Sequence, residues 1–189
     1  MTRFVPALAL AALTMPGWGQ VLSVADVHGA AHLPLAPAAG RVHLLLFLAT
    51  DCPVSNRYAP EIARIVTEYA PKGVRSYFIY ADPRATRQSV LAHLGEFYGG
   101  RSDVAAIIDT GLGVTGAVGA RVTPEAAIYT VAGRAYRGRI DDLYISLGRA
   151  RRAPTRRDLR LSLDRALAGL PVPVPETQAV GCYIERGGT

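Results

Sequence analysis

The order of apolar runs along this chain predicts an α/β fold, a central mixed sheet with helices on both faces. Three observations predict it. The run "VHLLLFL" at Val42–Leu48 has no polar alternation, as expected of a central strand covered on both sides. Strand-like and helix-like segments then alternate three times, which is the pattern of a sheet containing parallel strands. Finally, "EAAIYTVAGRAYRG" reads as two strands around a turn at Ala132-Gly133, an antiparallel hairpin closing the sheet.

Taken in order, "LSVADVHGAAHL" gives two short extended pieces around a turn at His28-Gly29, and a Pro- and Ala-rich loop leads into Val42–Leu48. Over residues 56–69 the positions Ile62, Ile65, Val66 and Tyr69 recur at helical spacing, with Pro60 interrupting early and Pro71-Lys72-Gly73 ending the run. Residues 74–82, "VRSYFIYAD", form the next strand. Residues 84–100 form a helix with Val90, Leu91, Leu94 and Phe97 on one face, and it stops at Gly99-Gly100. A strand at 104–108 and a short helix at 111–118 complete the alternation. The last helix spans 155–170, starting at Pro154 or Thr155, with Leu159, Leu163 and Leu167 in a stripe. Beyond it "PVPVPETQAV" reads as an extended tail, since its prolines break both helix and sheet ladders.

Composition narrows the function classes. Half of the 189 residues are hydrophobic and 19% are charged, so the chain is globular and long enough for a core without staples. The net charge of +6 is carried by arginines, Lys72 being the one lysine. They are spread along the chain, and the cluster at 149–160 has no interleaved aromatics, so a partly ion-paired surface is expected and nucleic acid is not. The opening "MTRFVPALALAALTMPGWGQ" has a basic start, a short apolar stretch and small residues near Gly19. This is the layout of a secretory signal peptide over residues 1–20, with an apolar stretch shorter than the ~20 residues that span a bilayer. The mature chain is therefore expected in the periplasm or secreted, without a transmembrane span. It divides into residues 21–150, one domain, and 151–189, a helix and tail packed on it. In that oxidising setting the two cysteines, Cys52 and Cys182, are expected to be paired or cycling.

Cys52 stands in "TDCPVSNRYAP", where the central strand gives way to a helix and Pro53 suits the first helical position. Free backbone N–H groups and the helix dipole favour a thiolate there. A buried structural cysteine is the plainer alternative, but Asp51, Pro53 and Ser55 around it fit an element boundary rather than a core. Other candidates are weaker. His28 and His32 read as a surface pair, His43 as a strand residue and His93 as a helix residue. Asp141 and Asp142 read as an exposed loop pair, and Arg57 as facing water.

The segment "FLATDCPVSNRYAP" resembles the active-site segment of thioredoxin-like redoxins, the group that includes periplasmic thiol-disulfide oxidoreductases and relatives of the peroxiredoxins. Cys52 matches their nucleophile and Pro60 the proline of their first active-site helix. "DVHGAAHLPLAPAAGRVHLLLF" is similar to the N-terminal hairpin of the periplasmic branch. "VTPEAAIY" matches the Thr-Pro whose proline is cis and faces the catalytic sulfur. The resemblance covers residues 22 to 142 and implies a thioredoxin fold, with Thr123 and Pro124 lining a substrate groove.

The departures from the family pattern bear on chemistry. Ser55 stands where the second cysteine of C-x-x-C belongs, so dithiol cycling within that motif is impossible. Asp51 replaces the usual tryptophan, and its charge is expected to oppose a thiolate at Cys52. Leu45 and Ala49 replace the proline and threonine of a peroxiredoxin site, and the C-x-x-x-C of copper-delivery relatives is missing. The resulting expectation is thiol-disulfide chemistry on a protein or small-molecule thiol or disulfide. Cys52 would attack, Ser55 would act as a hydrogen-bond donor to the sulfur, and Cys182 would either resolve the mixed disulfide or stand as a separate tail thiol that pairs with another chain or with nothing. No cofactor and no metal are called for. The alternatives are a non-catalytic module of the same fold that binds a partner protein or metal ion, and a divergent peroxiredoxin.

Overall fold

The computed structural model describes residues 22–185, so the expected signal peptide over 1–20 lies outside the described residues. Its central sheet has five strands in the order β5-β4-β3-β7-β8. These are β3 (Val42–Leu48), β4 (Val74–Tyr80), β5 (Ala105–Ile108), β7 (Glu125–Thr130) and β8 (Gly133–Gly138). Strands β3, β4 and β5 run parallel, and β7 and β8 form an antiparallel hairpin beside β3. β3 is thus central, and Leu44, Leu45, Leu46, Phe47 and Leu48 are all 0% exposed, each contributing roughly 1.5–3 kcal/mol by burial.

The pleat sends alternate residues of β3 into two cores. Leu44, Leu46 and Leu48 join Ile62, Ile65 and Val66 of α1 (Pro53–Tyr69), Val90 and Leu94 of α2 (Arg87–Tyr98), and Leu159 and Leu163 of α4 (Asp158–Leu167). Leu45 and Phe47 join Val114 and Val118 of α3 (Gly113–Val118) and Ile184 near the chain's end. The sheet therefore carries helices on both faces, in an α/β architecture with the strand order and hairpin of a thioredoxin fold. The N-terminal hairpin is β1 (Val24–Ala25) against β2 (Ala31–His32).

Helix boundaries follow local chemistry. Pro53 occupies the first turn of α1, and Pro60 lies inside the helix without ending it. α2 begins at a capping box, where Ser89 N–H donates to Thr86 Oγ1 at 3.1 Å and Thr86 N–H to Ser89 Oγ at 3.0 Å. It ends on Gly99 at φ 65°, a left-handed turn that suits glycine. α4 starts at Asp158, not at Thr155. Thr155 is held instead by Asp142, whose carboxylate accepts from its N–H at 2.7 Å and its hydroxyl at 2.6 Å.

That arrangement corrects the exposed reading of the two aspartates, which lie in a loop but are buried. Asp141 accepts from Tyr58 Oη at 2.6 Å and from Leu143 N–H at 2.9 Å. The histidine pair is also corrected. His28 is exposed, but His32 is buried, with Nε2 2.7 Å from Asp26 Oδ2 and Nδ1 3.0 Å from Arg75. The arginine cluster is partly ion-paired: Arg160 bridges Glu61 at 2.8 Å and Glu68, Arg151 meets Asp142 at 3.4 Å, and Arg156 meets Asp158 at 3.6 Å.

After α4 the proline-rich tail returns across the molecule. Arg137 N–H donates to Pro175 O at 2.9 Å and Thr177 N–H to Arg137 O at 3.0 Å, so the tail lies along the outer edge of β8. Thr177 Oγ1 also meets Tyr136 Oη at 2.6 Å. A side chain at Gly138 would collide with Thr177, because its Cβ would lie 2.2 Å from Thr177 Oγ1.

Candidate functional site

Cys52 caps α1 at the carboxyl end of β3, with extended backbone at φ −83° and ψ 109°. Its Sγ accepts from Ser55 N–H at 3.5 Å and donates to Thr123 O at 3.0 Å. The residue is 1% exposed. Thr123 belongs to β6 (Val122–Thr123), and the Thr123–Pro124 peptide is cis. The buried Glu125 carboxylate holds β6 in place by accepting from the N–H groups of Arg121 at 2.7 Å and Val122 at 3.3 Å.

The tail reaches this site. β11 (Cys182–Tyr183) pairs antiparallel with β6, in the register Cys182 to Thr123 and Tyr183 to Val122. Ile184 N–H donates to Arg121 O at 3.0 Å, and Ile184 is buried. Tyr183 is 81% exposed; the alternation of a strand turns it outward while Cys182 and Ile184 face the protein. Gly181 lets the tail approach, since a Cβ there would lie 2.1 Å from Thr123 O. Thus Cys52, Thr123 and Cys182, far apart in sequence, line one cavity of about 160 Å³. The cavity is also lined by Asp51, Asp82 and Arg84. Both cysteines are free thiols.

The two thiols are shifted in opposite directions. Burial pushes Cys52 up, but the side chains of Cys182 and Thr123 and the N–H and hydroxyl of Ser55 draw it down, so that it lies below the ordinary cysteine range. Cys182 is pushed up to about 12 by burial, by hydrogen bonding to Cys52 and by Cys52's charge, against the Val54 N–H. The first proton of the pair therefore leaves Cys52, and the resulting thiolate accepts a hydrogen bond from Cys182. The Asp51 carboxylate is exposed, 3.4 Å from Arg84, and its charge raises Cys182.

Ser55 is buried at the first turn of α1, but only its N–H reaches the sulfur with hydrogen-bond geometry, and its Oγ has no partner. Arg57 is exposed. Among the described residues no group of three or more His, Cys, Asp and Glu side chains could hold a metal ion, and no helix is long and apolar enough to cross a membrane.

Two features escaped the sequence. Arg84 sits at the cavity because the end of β4 lies beside the end of β3, as neighbouring parallel strands require; "ADPR" directly after a strand was the available signal. His93 is buried, with Nε2 2.9 Å from Asn56 Oδ1 and Nδ1 2.9 Å from Tyr80 Oη. Asn56 in turn donates through Nδ2 to Thr50 O at 3.4 Å and through its N–H to Cys52 O at 3.0 Å, steadying the segment that bears Cys52. The signal was Asn56 one helical turn after Cys52.

No protein-family model matches the chain, and no curated protein matches it in sequence. Solved structures do. An uncharacterized conserved protein from Geobacillus kaustophilus superposes with a TM-score of 0.73 at 23% identity, covering 93% of this chain and 95% of its own. A hypothetical protein from Sinorhizobium meliloti gives 0.72 at 23% identity, over 89% and 92%. A secreted Mycobacterium tuberculosis disulfide oxidoreductase homologous to E. coli DsbE gives 0.54 at 16% identity, over 79% and 96%. Sheet order, crossing helices and these likenesses agree that the chain has the thioredoxin fold.

Proposed function

We propose that this protein is an exported thiol-disulfide oxidoreductase in which Cys52 is the attacking sulfur and Cys182, carried in on the tail, completes the cycle. The observation that supports this most is the β6–β11 register, which sets Cys182 opposite Thr123, the residue whose carbonyl holds the Cys52 sulfur at 3.0 Å. The missing second cysteine of the C-P-V-S motif is thereby replaced from a distance.

The cycle needs only sulfur chemistry. The Cys52 thiolate attacks one sulfur of a substrate disulfide; that bond breaks, and its electron pair leaves on the other sulfur as a thiol after protonation. Cys182, deprotonated as it attacks, then takes the Cys52 sulfur, releasing the second substrate thiol and leaving Cys52–Cys182 as a disulfide. The substrate gains two electrons and the protein loses them. Ser55 assists through its N–H, and Thr123 and Pro124 form the wall against which the substrate lies. A small disulfide enters the cavity directly, whereas an extended protein segment takes the place of the two-residue β11 on β6. The secretory start of the chain fits this chemistry, because an oxidising compartment supplies disulfides.

Turnover of cystine above the direct dithiothreitol–cystine rate tests the assignment. Cys52→Ser abolishes that excess, and Cys182→Ser treated with cystine alone keeps a cysteinyl adduct on Cys52. Wild-type excess turnover by Cys52→Ser, or no adduct in Cys182→Ser, contradicts it.

A further inference from the structure

We infer that, once the Cys52–Cys182 disulfide has formed, the thiol that reduces it attacks Cys182 and not Cys52, so electrons enter through the tail. The inference rests on the pairing proposed above and adds the direction of regeneration.

A thiolate attacks a disulfide in line with the bond, from the side opposite the departing sulfur, and access decides which sulfur is taken. Cys52 is the less accessible of the two sulfurs, although it too borders the cavity. It is 1% exposed and packed into the main core with Val54 and Tyr58 of its own helix, and β6 stands on its other side through Thr123. Cys182 is half-buried and borders the cavity. Among the described residues β11 pairs with β6 alone, so its other edge is free, and next to Cys182 stands Tyr183, 81% exposed.

The departing group points the same way. Attack at Cys182 expels Cys52, whose thiolate Thr123 and the Ser55 N–H and hydroxyl still favour, whereas attack at Cys52 expels Cys182, which burial pushes up; the thiol of lower pKa leaves faster. In the step the reductant's S–H proton is lost, a sulfur–sulfur bond forms to Cys182, the protein bond breaks, and its electron pair stays on Cys52. A second thiol of the reductant attacks its own bound sulfur and releases Cys182, which takes up a proton. One dithiol becomes a disulfide and the protein gains two electrons. The cavity mouth sets three acidic side chains, Asp51, Asp82 and Glu185, around Arg84, so a thiol bearing a positive charge suits it.

Cysteamine is therefore the probe. Oxidised full-length protein is mapped for the Cys52–Cys182 link, mixed briefly with cysteamine, quenched in denaturant with N-ethylmaleimide, and mapped again. The expected product carries cysteamine on Cys182 and maleimide on Cys52, exceeding the reverse labelling about tenfold or more, as leaving-group and access effects together require. Cysteamine on Cys52 in equal or greater amount overturns the inference while leaving the pair intact. If the starting material has no linked peptide, the pairing itself fails and the inference fails with it.

Discussion

At the scale of single residues, the site is built around a serine where a second cysteine is expected. Ser55 contributes through its backbone, while its buried Oγ has no partner. An orphaned buried hydroxyl costs about 1–3 kcal/mol, so it is retained at a loss unless it serves the sulfur. Its side chain does help draw the Cys52 thiol down. Ser55→Ala is thus expected to move two observables in opposite senses. Folding stability, from denaturant melts, stays level or rises by about 1 kcal/mol, because an unsatisfied group is removed. The alkylation midpoint of Cys52 moves to higher pH, because the thiolate loses a stabilising dipole, and less of it is present at any pH between the two midpoints. Stability falling by more than about 1 kcal/mol would reveal a partner for that hydroxyl; an unmoved midpoint would remove Ser55 from the site. The place of Cys52 at the start of α1 was legible from "DCPVSN", since strand end, proline and helix start are local signals. The outward turn of Asp51 toward Arg84 was not, because Arg84 is 33 residues away.

At the scale of elements, β6 and β11 matter most and were the least legible. Each has two residues, too few to show any periodicity, whereas β3 and the three longer helices announced themselves by apolar spacing. Their pairing depends on Gly181, whose missing side chain admits the Thr123 carbonyl, and on Ile184 entering the second core. Gly181→Ala is expected to lift β11 from β6, since a Cβ 2.1 Å from a carbonyl oxygen forces backbone movement costing typically 1–3 kcal/mol. Cys182 then loses contact with Cys52. The Cys52 alkylation midpoint rises, and the yield of internal disulfide under mild oxidation falls. Wild-type values for both would show that the tail is not held through this contact. Asp141 and Asp142 give the same lesson from another element. "IDD" reads locally as a polar loop, and only Tyr58, 83 residues away, and Thr155 account for its burial.

At the scale of the whole molecule, the tail turns a single-cysteine motif into a two-cysteine site. From α4 it runs along β8, where Arg137 contacts Gly119 O, Glu125 and Glu176, and then crosses to the carboxyl end of β3. The α/β alternation and the β7–β8 hairpin were readable because each is a run of local patterns. That the chain's end reaches Cys52 follows from long-range contacts at Gly138 and Gly181, and the sequence offered only a stiff proline segment long enough to make the crossing. The account stands or falls on whether the two sulfurs join. A disulfide requires Cα atoms within about 7 Å, a demand that a tail docked elsewhere cannot meet. The direct measurement is peptide mapping by tandem mass spectrometry of the full-length protein after mild oxidation, without reduction. The predicted result is one linked pair of peptides bearing Cys52 and Cys182, formed within a single chain and converted to two alkylated peptides by dithiothreitol. Both cysteines alkylated without reduction, or links only between chains, would contradict the account.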